Sequence, residues 1–75
     1  MEIKIAIPDF EDVRALVRLT QSLDYDIQLV SGKYEVDAKS IMSIFTLDLN
    51  QPVLLKAKGK DDPKLLQALS PYIVD

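Results

Sequence analysis

Isoleucines at 3, 5 and 7 alternate with Glu2, Lys4 and Ala6, the period-two pattern of a strand with one buried face. Pro8 ends it, and Asp9 stands where a helix N-cap belongs, with Asp12 three residues on as a short analogue of a capping box. In the helix that follows, Phe10, Val13, Leu16, Val17 and Thr20 recur at three- and four-residue steps, while Glu11, Arg14, Arg18 and Gln21 fall on the other side. The spacing predicts an amphipathic helix with its apolar stripe inward. Next, Tyr25, Ile27 and Leu29 alternate with polar residues, as do Tyr34 and Val36, and Ser31-Gly32 separates the runs. A β-hairpin is predicted there.

The stretch Ser40 to Leu47 carries no charge and is bounded by Lys39 and Asp48. It reads as a short helix starting near Ser40, with apolar side chains on more than one side. Its spacing puts Ile44 and Leu47 inward and leaves Ile41, Met42 and Phe45 outward, the mark of a partner-binding surface. Val53, Leu55 and Ala57 then alternate as a fourth strand, and 59–62 is expected to turn. Asp62 and Pro63 form a helix start, and Leu65, Leu66, Leu69 and Ile73 give a third apolar stripe that Pro71 should interrupt near Ser70. The order is β-α-β-β-α-β-α, one domain over 1–75, with a sheet covered on one side by helices.

Composition narrows the chemistry. The chain has 75 residues, no histidine and no cysteine, which excludes phosphohistidine transfer, thiol chemistry, imidazole-metal catalysis and disulfide stapling. No cofactor, metal site or enzymatic constellation is expected. Net charge is -3. Lys56, Lys58, Lys60 and Lys64 cluster, but Asp61 and Asp62 interrupt them and no aromatic residue is interleaved, so a solvated face is expected and no nucleic acid. No apolar run approaches the ~20 residues that span a bilayer, and the first residues do not read as a secretory leader. The expectation is a cytoplasmic protein that neither enters nor crosses a membrane.

The segment DIQLVSGKYEVDAKSIMSIFTLDL resembles the matching region of HPr, the histidine-containing phosphocarrier of the sugar phosphotransferase system. Its most specific part is Ala38-Lys39-Ser40-Ile41-Met42 followed by Leu47, and Lys58-Gly59 ahead of the last helix also fits. The resemblance implies an α+β open-faced β-sandwich: a four-stranded antiparallel sheet covered on one side by three helices. HPr proteins hold their active histidine at the start of the first helix, in a Gly-Leu-His-Ala-Arg-Pro type of motif. Counting back without gaps puts Asp9 at the histidine, Glu11 at the arginine and Asp12 at the proline, and the chain ahead of Asp9 is too short for the family's glycine-bearing loop. Three carboxylates would repel a phosphoryl group that the family site attracts.

Ser40 matches the serine that a dedicated kinase phosphorylates in many HPr proteins of Gram-positive bacteria, and it equally serves as a helix cap. Ile41, Met42 and Phe45 match apolar positions through which HPr proteins dock on enzymes and regulators. The resemblance therefore implies a regulatory or partner-binding protein, without phosphohistidine, whose partner is a phosphotransferase-type enzyme, kinase or regulator. Two alternatives stand beside it. Asp9 could accept a phosphoryl group if Glu11 and Asp12 helped hold a divalent ion; or the chain is a structural interaction module, a monomer or weak dimer, whose second helix pairs with itself.

Overall fold

The computed structural model describes residues 1–58 and 62–74. Strands β1 (Glu2–Ile5), β2 (Ile27–Ser31), β3 (Tyr34–Asp37) and β4 (Val53–Ala57) form one sheet in the order β1-β4-β2-β3, every neighbour antiparallel. Helices α1 (Phe10–Gln21), α2 (Ile41–Ile44) and α3 (Pro63–Leu69) complete the expected order and cover one face of the sheet. The fold is the open-faced β-sandwich.

Register follows from alternation, because slipping a strand by one residue would turn its apolar set to water. Ile3, Leu55, Leu29 and Val36 stand side by side across the four strands on the inner face. Lys4, Leu54, Val30 and Glu35 make the neighbouring row on the outer one. Against the inner rows pack Val13, Leu16 and Val17 of α1, Ile44 of α2, and Leu65 and Leu69 of α3, all buried.

Some boundaries differ from the sequence reading. β2 begins at Ile27, leaving Tyr25 in the preceding loop, where its hydroxyl donates to Asp62 Oδ2 at 3.0 Å. The hairpin turns on Gly32-Lys33, one residue later than the Ser31-Gly32 dipeptide suggested, because Ser31 still pairs with Tyr34. Gly32 takes φ +59, left-handed backbone that glycine adopts without steric cost. α2 is a single turn and not a helix to Leu47; Thr46 N and Leu47 N reach back only three residues, to Ser43 O and Ile44 O. Ile73 lies beyond α3 and bridges Ile5 in antiparallel fashion, while Val74 N donates to Lys4 O, so the last residues cover the outer edge of β1. Of the expected turn at 59–62 and the lysine cluster, Gly59, Lys60 and Asp61 lie outside the described residues.

Asp62 caps α3 by accepting from Lys64 N at 3.0 Å and Leu65 N at 3.4 Å, with Pro63 at the first helical position. The Tyr25 hydroxyl, and then these two amides, hold its carboxyl below the usual aspartate range. Partial burial, and then the bond to Asp62, push the Tyr25 phenol up. The carboxylate's contribution to stability is thus complete above the unfolded aspartate pKa and fades as pH falls through the lower folded value. The phenol's is complete below the unfolded tyrosine pKa and fades as pH rises through the higher folded value. We expect wild type to exceed Tyr25→Phe in melting temperature most between these limits and the difference to shrink toward both. A difference independent of pH would show that the bond does not form in solution.

Candidate functional site

The site is assembled from the start of α1 and the whole of α2. Asp9 has the extended backbone of an N-cap (φ -99, ψ 150), and its carbonyl accepts from Val13 N at 3.2 Å. Its carboxylate makes no capping bond, contrary to the sequence expectation. Nor does Asp12 close a capping box; its side chain is one methylene shorter than the glutamate that reaches back in that motif. The exposed Asp9 side chain stays in water, where the positive end of the helix still favours it.

Phe10 departs from its predicted inward place. Val13, Leu16, Val17 and Thr20 fill the core face of α1, and Phe10, a turn ahead of Val13, is left 55% exposed. Its ring stacks on Phe45 of α2, with centroids 5.7 Å apart and planes within 5° of parallel. The Arg14 guanidinium stands 5.8 Å from the Phe10 centroid and pairs with Glu11 at 3.4 Å. Glu11, Arg14, Ala15 and Arg18 line a shallow cleft alongside, on the outer face of α1.

Ile44 of α2 and Leu47 just beyond it are buried, as their spacing implied. Met42 is 77% exposed and Phe45 44% exposed, whereas Ile41 is half-buried and packed against the core. Ser40 is half-buried, and its hydroxyl accepts from Ser43 N at 3.4 Å, which closes the N-cap.

The approach to Ser40 is held by bonds that sequence reading missed. The buried Thr20 hydroxyl donates to Ala38 O at 2.8 Å, Gln21 Nε2 donates to Lys39 O at 3.0 Å, and Lys39 Nζ donates to Leu23 O at 2.8 Å. The available signal was a threonine in an otherwise apolar stripe, since a buried hydroxyl needs a partner. These bonds fix the α2 approach against the end of α1, and so help set the distance between Phe10 and Phe45.

Among the described residues, no three acidic side chains converge closely enough to hold a metal ion, so Asp9, Glu11 and Asp12 do not form a shared cation site. Lys56 lies on the outer sheet face and Lys64 in the first turn of α3. Among the described residues no helix is long and apolar enough to cross a membrane.

Comparison with known proteins gives a consistent picture. Residues 13–75 match the PTS-HPr family model, described as the PTS HPr component phosphorylation site. The match begins just after the acidic corner at Asp9 to Asp12. No curated protein matches the chain. Among solved structures, HPr-C-His from Thermoanaerobacter tengcongensis is 27% identical over 95% of this chain and 88% of that one, with a TM-score of 0.77. An HPr dimer from the same organism is 29% identical over 88% of this chain and 74% of that one, with a TM-score of 0.65. The phosphocarrier protein HPr from Bacillus anthracis str. Ames is 21% identical over 99% and 94%, with a TM-score of 0.70, a likeness of fold alone. HPr proteins are phosphocarriers that act through other proteins and are not enzymes. With 63 of its 75 residues inside the family match and the sheet and helices in the family's arrangement, the chain belongs to the PTS-HPr family.

Proposed function

We propose that this HPr-family chain is a regulatory, partner-binding protein of the cytoplasm that docks through α2 and carries no phosphohistidine. The observation that carries the reading is the outward setting of Met42 in α2 and of Phe45 at its C-cap, while Ile44 and Leu47 are buried and Ile41 is half-buried. Exposed methionine and phenylalanine suit an adaptable contact centre, and Ile41 anchors them to the core. The partner is a phosphotransferase-type enzyme, kinase or regulator.

The absence of histidine supports the second half of the reading, since phosphoryl transfer through HPr needs an imidazole nucleophile. At the corresponding corner Asp9 and Glu11 are exposed carboxylates, and Arg14 is already paired with Glu11. Incubation with phosphoenolpyruvate and the phosphotransferase enzymes should leave the intact mass unchanged. An added phosphate that is labile to hydroxylamine would instead assign carrier chemistry to Asp9.

Ser40 is the proposed control point. Its hydroxyl sits at the start of the docking helix, beside Ile41 and Met42, so a phosphate there would place about two negative charges on the rim of the face. A Ser40→Asp variant is expected to weaken partner binding several-fold while Ser40→Ala leaves it within about twofold, read by isothermal titration. Equal binding by both variants would remove Ser40 from the account.

A further inference from the structure

We propose that Met42 is a site of reversible oxidation by peroxide, where conversion of its thioether to the sulfoxide weakens docking through α2 and leaves the fold intact. The proposal rests on the docking reading above and names a chemistry that regulates that face.

The chain has no cysteine and two methionines, so no thiol of its own intercepts an oxidant ahead of a thioether. The two thioethers differ in access. Met1 is half-buried against the core, and its amine donates to Ala57 O at 3.1 Å while its carbonyl accepts from Ala57 N at 2.9 Å. Met42 is 77% exposed, the most exposed large apolar side chain among the described residues. A small oxidant therefore meets its sulfur first. Met42 also lies outside the core cluster, so a polar sulfoxide there displaces no packing, whereas oxidation of a core methionine disrupts the fold. Its place is functional instead. Met42 stands three residues ahead of Phe45, in the uncharged stretch 40–47. A partner that covers this stretch would have to strip water from the sulfoxide oxygen, which costs affinity unless a donor meets it.

The step needs only the peroxide. The sulfur lone pair attacks one peroxide oxygen, the S–O bond forms as the O–O bond breaks, and the other oxygen leaves as water with both protons. Sulfur loses two electrons and the peroxide gains them. Reversal by a methionine sulfoxide reductase draws two electrons and two protons from a pair of thiols, which become a disulfide, and releases the oxygen as water.

The test treats the full chain with hydrogen peroxide and follows it by intact mass and peptide mapping. One oxygen should appear on Met42 about tenfold faster than on Met1 and be removed by methionine sulfoxide reductases with dithiothreitol. The melting temperature should move by less than about 2 °C. Binding is read with a synthetic helical peptide bearing a leucine and phenylalanine stripe and no net charge, followed by methyl and aromatic NMR shifts. The reduced chain should bind it about tenfold more tightly than the oxidised one, and reductase treatment should restore the affinity. Peroxide should leave the affinity of Met42→Leu at whatever value it began. A fall in that variant too would place the effect at another residue and overturn the proposal. So would oxidation of Met1 at the same rate, an oxidised chain that loses its fold, or a sulfoxide that the reductases leave in place. Equal binding by the oxidised and reduced chains, with shifts at Phe45, would keep the docking face and sink the switch. No shift at Phe45 with the reduced chain would sink the docking reading and the switch together.

Discussion

Leu55→Ala is expected to destabilise the domain by about 3 kcal/mol, the middle of the range for removing a buried leucine side chain. Leu55 is fully buried at the centre of the sheet, opposite Ile3 on one side and Leu29 on the other. Truncation there opens a cavity between two strands and the helices above, and neither neighbour can collapse into it without breaking register. A chain this short has a total stability of only roughly 4 to 11 kcal/mol at ordinary per-residue values. Urea unfolding should therefore show a large fall in midpoint, with a sizeable unfolded fraction in water if the parent lies at the low end. Leu55→Ile keeps the volume and should cost less than about 1.5 kcal/mol. A loss below 1 kcal/mol for the alanine variant would mean that the strand order β1-β4-β2-β3 is wrong at its centre.

Thr20→Val should have the next largest effect, about 1 to 3 kcal/mol, the range for leaving a buried polar group unpaired. The substitution keeps the shape and removes the hydroxyl that donates to Ala38 O at 2.8 Å. Both residues are fully buried, so water does not readily replace the lost donor. Thr20→Ser, which keeps the hydroxyl, should recover most of the loss. The damage should also spread toward the proposed docking face, because Ala38 and Lys39 lead directly into Ser40 and α2. Faster amide exchange from Lys39 to Phe45 in Thr20→Val, with β1 and β4 unaffected, is the expected pattern. Uniformly faster exchange would reduce Thr20 to a core residue with no special hold on α2.

The fold was legible because its signals are local and repeated. Alternation in β1 and β4, the three- and four-residue steps of α1, and the Asp62-Pro63 start each name an element without help from the rest of the chain. What escaped depends on where elements end relative to one another. Phe10 has the correct spacing for the α1 stripe, yet it sits at the helix start, where the core no longer reaches and Phe45 is the available neighbour. Ile73 continues the spacing of α3, but Pro71 has already ended the helix and the chain turns back along β1. The outward setting of Met42 and Phe45 was readable from spacing, but Ile41, read outward the same way, is half-buried against the core, and the clasp from Thr20, Gln21 and Lys39 needs contacts eighteen or sixteen residues apart that no periodicity encodes.

The docking face itself is tested most directly by comparing how a binding protein from the host engages wild type and a Met42→Ala/Phe45→Ala variant. Met42 is largely exposed and Phe45 is partly exposed with Phe10 as its ring partner, so the variant should stay folded with a modest fall in melting temperature while its affinity for the partner falls by about tenfold or more. Undiminished affinity in a folded variant, with the partner's contacts mapping to the outer face of the sheet, would contradict the assignment of α2 as the surface through which this HPr-family protein works.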